Sequence, residues 1–221
     1  GANQSATFPK MRCEISRAEE LKQKLDLTDL PSIPQKEQDA GVLILLHDDG
    51  TDELKVLLCV RSRELRRHPG EVCFPGGMMD DEDANDVRRT AIREAYEHFE
   101  QDSAYLFIRP RPPTFSLSIN EVESVFWIPL SEFLDDTYHS TFPVEKYYMV
   151  HMFQFDSYPV TYGITALMCI VVAIGLLGRH PKFNLMSNLT VSDMMEKHLD
   201  SLEIIRHVYE FSSRKFENSK I

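Results

Sequence analysis

Between Leu57 and Glu97 the chain carries, in order, a run of arginines, a double glycine at Gly76-Gly77 and a pair of glutamates. The glutamates fall in Asp86 to Phe99, a stretch with helical periodicity. Glu94 and Glu97 are three apart and Thr90 and His98 lie to the same side, so one face offers two carboxylates and an imidazole. Like charges that close repel on an isolated helix. A divalent cation between them reverses the sign, and Mg²⁺ or Mn²⁺ takes oxygen ligands together with substrate phosphates. For an arbitrary Glu-x-x-Glu the plain alternative is a solvated acidic face. Here the upstream context favours chemistry. Gly76-Gly77 opens backbone conformations closed to other residues and lets an amide or carbonyl approach a ligand, while Phe74-Pro75 anchors the turn.

Arg61, Arg63, Arg66 and Arg67, followed by His68, gather positive charge in a chain of formal net charge −11. The planar guanidinium fork suits phosphate oxygens, and a local basic patch can draw in a polyanion against the overall charge. A surface cluster neutralised by acidic neighbours is the competing reading. The same net charge excludes a nucleic-acid partner, which needs a clustered cationic surface. With 221 residues, 43% of them hydrophobic and 27% charged, the chain is that of an ordinary globular protein of one domain or two. Cys13, Cys59, Cys73 and Cys169 lack any Cys-x-x-Cys spacing and read as reduced thiols.

Several elements must position these groups. Ile15 to Lys24 reads as an amphipathic helix, ended by a linker at Leu30 to Pro34. Gly41 to Leu46 and Leu54 to Val60 are apolar runs around an Asp-Gly turn, which predicts a β-hairpin. Arg61 to Phe74 reads as a loop, Ser124 to Trp127 as a strand, Leu130 to Leu134 as a helical turn and Lys146 to Phe155 as a strand. Thr190 to Ser213 has helical spacing throughout. Ile164 to Gly178 is apolar for fifteen residues, short of the roughly 20 a membrane span needs, so it predicts a buried helix against a sheet and no membrane partner.

Taken together these residues resemble the Nudix hydrolase family, whose box is a glycine, a spacer and then Arg-Glu-apolar-x-Glu-Glu-x-Gly-apolar. Leu57-Leu58, Arg61-Ser62, Arg66, Gly70 and Phe74-Pro75-Gly76-Gly77 resemble the pattern of its coenzyme A diphosphatase branch, with Cys59 where threonine is usual. The resemblance runs on through Glu121-Val122 and Val125 to Leu130, and covers about Gly41 to Leu185. It implies an α/β fold, a Nudix-type α/β/α sandwich with a mixed sheet, at residues 36–189. An N-terminal helix and linker (1–35) and a C-terminal helix and tail (190–221) would flank it. The activity implied is hydrolysis of the diphosphate of CoA, acyl-CoA or CoA disulfide to 3′,5′-ADP and 4′-phosphopantetheine with Mg²⁺ or Mn²⁺. A monomer is the favoured state.

The roles implied go residue by residue. Glu94 would activate the attacking water and Arg93 would orient the carboxylates. Glu97, Glu94 and His98 would belong to the metal set, with the Gly77 backbone and the distant Glu121, or as second choice Glu123, completing it. Arg61, Arg66 and Arg67 would meet substrate phosphates. Three positions depart from the box: His98 replaces the second glutamate of the pair, Glu100 the glycine, and Asn85 an upstream glutamate, with Asp83 and Asp86 nearby. Imidazole is a weaker ligand than carboxylate for hard Mg²⁺, which implies a preference for Mn²⁺ and slow turnover, or a module that binds CoA without cleaving it. Gln101 to Asn120, with Arg109-Pro110-Arg111-Pro112-Pro113 inside it, is short for two strands, so part of the sheet is expected to be missing. The tripeptide Ser219-Lys220-Ile221 resembles a peroxisomal address; without it the cytoplasm is the default.

Overall fold

The computed structural model describes residues 19–25, 39–48, 50–51, 53–99, 115–144 and 149–218. Its axis is β3 (Leu54–Arg61), whose near-continuous apolar run is buried on both faces. Alternation along the strand sends Val56, Leu58 and Val60 to one side and Leu57 and Cys59 to the other, into two separate apolar clusters. β2 (Leu46–Asp48) and β4 (Val72–Cys73) pair with opposite ends of one edge of β3, and β6 (Val122–Pro129) runs along the other edge.

Helix α2 (Val87–Phe99) covers the Leu57/Cys59 side through Ala95 and Phe99. Helix α3 (Gly163–Leu177) covers the other through Ala166, Cys169, Ile170, Ala173 and Ile174, so the layers are helix, sheet and helix. Helical residues 19–24 (α1) and α5 (Ser201–Asn218) add Leu21, Ile204, Ile205 and Val208 to the α3 side. Two smaller ladders complete the fold: β1 (Ala40–Val42) with β5 (Gly76–Met78), and β7 (His139–Pro143), β8 (Met149–Phe153) and β9 (Thr161–Tyr162). Every described ladder is antiparallel, and a parallel partner for the sheet is not among the described residues.

The helix at Asp86 to Phe99, the turn at Leu130–Leu134 and the apolar helix all form where the sequence places them, and the hairpin forms with its first strand shifted to Leu46–Asp48. Three expectations are corrected. The run Gly41 to Leu46 is not one strand: it leaves β1 at Val42 and joins β3 only from Leu46, serving two sheets. The loop Arg61 to Phe74 contains β4, held by Cys59↔Cys73 and Val60↔Val72. Thr190 to Ser213 is two helices, α4 (Val191–Glu196) and α5, broken where His198 takes φ 52°. The two capping boxes were readable: Thr190 exchanges hydrogen bonds with Asp193, and Asp200 with Glu203.

No described helix is long and apolar enough to cross a membrane. Helix α3 ends at Gly178, whose φ of 61° and N–H bond to the Ile174 carbonyl form a left-handed cap. Glu100, the linker at Leu30 to Pro34, the proline run at Arg109 to Pro113 and the terminal tripeptide all lie outside the described residues.

Candidate active site

Three glycines let helix α2 sit directly on the β1–β5 ladder. A Cβ on Gly41 would come within 2.5 Å of the Val87 carbonyl oxygen and 2.8 Å of the Ala91 nitrogen. One on Gly76, at φ +156°, would meet the Gly41 carbonyl oxygen at 2.3 Å. One on Gly77 would lie 2.1 Å from Glu94 Oε2. The double glycine therefore holds the Glu94 carboxylate against the backbone of β5, a contact no other residue type permits. Phe74 is buried and the Pro75 carbonyl accepts from the Leu43 N–H at 2.8 Å, which fixes the turn to the core.

Arg93 organises the acidic groups. Its Nε and Nη2 grip the buried Asp83 carboxylate at 3.0 and 2.8 Å, its Nη2 also donates to the Met78 carbonyl at 3.0 Å, and its Nη1 bridges Glu94 and Glu97 at 3.0 Å each. The Arg93 guanidinium holds the Asp83 carboxyl well below the usual carboxylate range. Asp83, ten residues before Arg93, is the carboxylate that Arg93 grips most fully, a pairing its position in the sequence does not announce. Ala84 and Asn85, at φ 53° and 58°, reverse the chain and swing Asp83 beneath the helix. Asn85 and Asp86 do not substitute: the Asp86 carboxylate accepts from the Arg88 N–H and side chain at the start of α2.

Burial raises the Glu94 carboxyl above its ordinary value; Arg93 opposes this, and the charges of Glu97 and Glu121 add to it. Glu94 thus faces two further carboxylates with one arginine among them. Among the described residues no three His, Cys, Asp or Glu side chains close around one point as a ready-made metal cage. The donor set nevertheless fits a hard divalent ion held by one or two carboxylates plus substrate phosphates, the usual Mg²⁺ arrangement. Glu121 and Glu123 separate cleanly. Ser62 donates its N–H to the Glu121 carbonyl at 2.9 Å, bringing Glu121 to the end of β3, while a register shift between Val60 and Arg61 lets Glu123 pair with Arg63 at 3.0 Å instead.

The single face expected on α2 is in fact a gradient: Glu97 is exposed, Glu94 half-buried, and Thr90 and His98 buried. His98 turns inward beside Phe99, and among the described residues its Nδ1 has no hydrogen-bond partner. Of the basic loop, Arg66 and Arg67 are exposed, Arg63 is committed to Glu123, and His68 binds Glu71 at 3.0 Å. Arg61 is half-buried and directs Nη2 to the Arg67 carbonyl at 3.4 Å. Sequence reasoning missed Gly41 and the Met78 carbonyl, since neither carries a side-chain signal.

No protein-family model matches the chain. A peroxisomal coenzyme A diphosphatase of Caenorhabditis elegans is 67% identical over 234 residues, taking in 96% of this chain and 100% of the relative. That alignment is longer than the 221-residue chain, so the relative holds residues with no counterpart here. A peroxisomal coenzyme A diphosphatase of Mus musculus is 30% identical over 163 residues, 60% of this chain and 68% of the relative. The mitochondrial Nudix hydrolase 15 of Arabidopsis thaliana is 30% identical over 177 residues, 67% of this chain and 62% of the relative. A glycine-seated helix whose arginine gathers three carboxylates beside an arginine loop, in a chain so close to these relatives, settles the lineage: the chain belongs to the Nudix hydrolase family.

Proposed function

We propose that this protein is a metal-dependent diphosphatase that cleaves CoA, acyl-CoA or CoA disulfide to 3′,5′-ADP and the matching 4′-phosphopantetheine. The observation that carries the reading is the Glu94 carboxylate, pressed on Gly77 and held by Arg93 among negative neighbours. Glu94 and Glu97, with Glu121 and the Gly77 backbone, would hold Mg²⁺ or Mn²⁺. When bound, such an ion lowers the pKa of the attacking water and neutralises the leaving phosphate. The Glu94 carboxylate, fixed against Gly77 and by Arg93, is placed to take the proton of that water as general base. Arg93 keeps that carboxylate in place and is itself fixed by Asp83. Arg61, Arg66 and Arg67 receive the substrate phosphates, Arg61 as the half-buried anchor and the other two as exposed arms. Residues 36–189 form the catalytic domain in this reading. The peroxisomal names of two relatives support the peroxisome as its compartment, and a fluorescent fusion in cells tests that.

The assay is incubation with CoA and Mg²⁺ or Mn²⁺, with the products resolved by chromatography. Formation of 3′,5′-ADP supports the reading. Its absence, with turnover of another nucleoside diphosphate derivative, would keep the chemistry and discard the substrate. Two observations favour a second reading, a module that binds CoA without cleaving it: the inward-turned His98 in place of a carboxylate, and the residues of the worm protein that have no counterpart within the aligned part of this chain. Calorimetric binding of CoA without metal-dependent turnover would establish that alternative.

A further inference from the structure

Two buried polar atoms on the α2 side of β3, Arg61 Nε and His98 Nδ1, have no hydrogen-bond partner among the described residues. Buried polar groups are nearly always satisfied, so two orphans on the same side of the sheet call for a physical account. Backbone bonds bring their carriers together. Ser62 donates to the Glu121 carbonyl at 2.9 Å, Val122 to the Ser118 carbonyl at 2.8 Å, and Ser118 to the His98 carbonyl at 3.0 Å. This chain of bonds ties the end of β3, the start of β6 and the last turn of α2. Arg61 alternates in phase with Leu57 and Cys59, which face α2. The Arg61 charge is close enough to help lower the pKa of the His98 imidazole, after burial itself.

The chemistry of the two atoms is complementary. Arginine Nε–H can only donate, and a neutral imidazole has one nitrogen free to accept. We propose that His98 is a positioning residue for Arg61: its Nδ1 takes the Arg61 Nε–H, directly or through one enclosed water, so the guanidinium's outer edge stays turned to the diphosphate with its charge intact. A carboxylate in the same place would pair with that guanidinium and compete with the phosphates for it. On this account His98 serves substrate binding, not the metal, and it rests on the diphosphatase reading given above.

Four substitutions separate the possibilities. In His98→Asn the amide oxygen stands where Nδ1 stands; His98→Gln moves it to the Nε2 position, and His98→Leu removes it. With the metal ion saturating, the Leu and Gln variants should raise the KM for CoA about tenfold, the worth of one buried hydrogen bond to a charged group, with kcat within about twofold. The Asn variant should stay within about threefold of the parent in KM. Added to Arg61→Gln, His98→Leu should change KM no further, because the partner is already gone. A loss of kcat with a raised metal requirement and unchanged KM would overturn the proposal and make His98 a metal ligand; so would full additivity with Arg61→Gln. The Arg61 Nε–H resonance, read by NMR in the unliganded protein, tests the pairing without turnover. It should shift in the Leu and Gln variants and hold in the Asn variant, and an unmoved signal in all three overturns the pairing. Failure of the parent to turn over CoA, with that signal behaving as stated, would sink the diphosphatase reading alone.

Discussion

The two helices that sandwich β3 are seated by opposite means. Helix α3 buries large side chains, with Cys169, Ile170 and Ile174 fully enclosed in the main apolar core. Helix α2 approaches the β1–β5 ladder through residues with no side chain, and beneath it lies only a small cluster around Leu57, Cys59, Ala95 and Phe99. The α3 face is held by the area removed from water, which tolerates modest reshaping. The α2 face is held by steric fit and by the Arg93 network, which does not. Stability is concentrated on one side of the sheet and geometry on the other.

The largest effect should come from Glu94→Gln, which keeps the shape of α2 and removes the base. A loss of about 10²–10⁴ in kcat with CoA, and an almost unchanged thermal midpoint, is expected. A substantial fall in the midpoint would mean that Glu94 also holds the helix and would blur the contrast. Next come the glycines. Gly77→Ala should cost about 10²-fold in kcat/KM, because its Cβ, 2.1 Å from Glu94 Oε2, must displace the carboxylate. Gly41→Ala meets backbone rather than a side chain and should destabilise by about 3 kcal/mol in urea titration. On the α3 side, Ile170→Ala should cost about 2–5 kcal/mol of stability while kcat at a temperature well below the midpoint stays unchanged. The control is Gly175→Ala in the middle of α3. There a Cβ meets the flexible ends of Leu25 at 2.7 Å and Ile205 at 3.3 Å. These side chains can yield, alanine favours the helix, and the net change should lie within about 1 kcal/mol.

A modest effect should also appear with pH on the apolar side. His139 Nε2 and His151 Nδ1 share a hydrogen bond of 2.9 Å, and the His139 ring stacks on Phe183 with centroids 3.6 Å apart. Burial, with the His151 charge adding and Asp136 opposing, pushes the His139 pKa from 6.5 down to about 4. The folded state therefore favours the neutral ring, and the unfolded chain takes up the proton first. Stability is full above about pH 6.5 and falls as pH drops toward 4, by about 1–2 kcal/mol once partial exposure is allowed for. In His139→Phe, which keeps a ring against Phe183, this slope should flatten; a slope identical to the parent's would assign it to another group.

How much of this was legible in the sequence follows the same division. The apolar helix and the β3 run carry their fate in composition, so both were readable. The Arg-Glu pair, the double glycine and the arginine loop were readable because each is a side-chain pattern at fixed spacing. Asp83 was obscured because two residues of positive φ, Ala84 and Asn85, break the periodicity linking it to Arg93. The preference for Glu121 over Glu123 came with the family resemblance; the register shift between Val60 and Arg61, beside which Glu123 pairs with Arg63, is announced by no local pattern. The gradient of burial along α2, which carries His98 inward, depends on where β3 and the segment around Ser118 sit, and that is tertiary information.

The glycine seat under α2 has a consequence in heredity. Every single-base change in a glycine codon that alters the amino acid introduces a Cβ, and at Gly41, Gly76 and Gly77 that atom would fall within 2.6 Å of a neighbouring atom. These three positions therefore have no mild variants within one mutational step. A lineage that keeps the activity keeps all three, whereas a lineage that keeps only the fold should lose Gly77 first, whose Cβ meets only the Glu94 side chain, and hold Gly41 and Gly76, whose Cβ atoms would meet backbone.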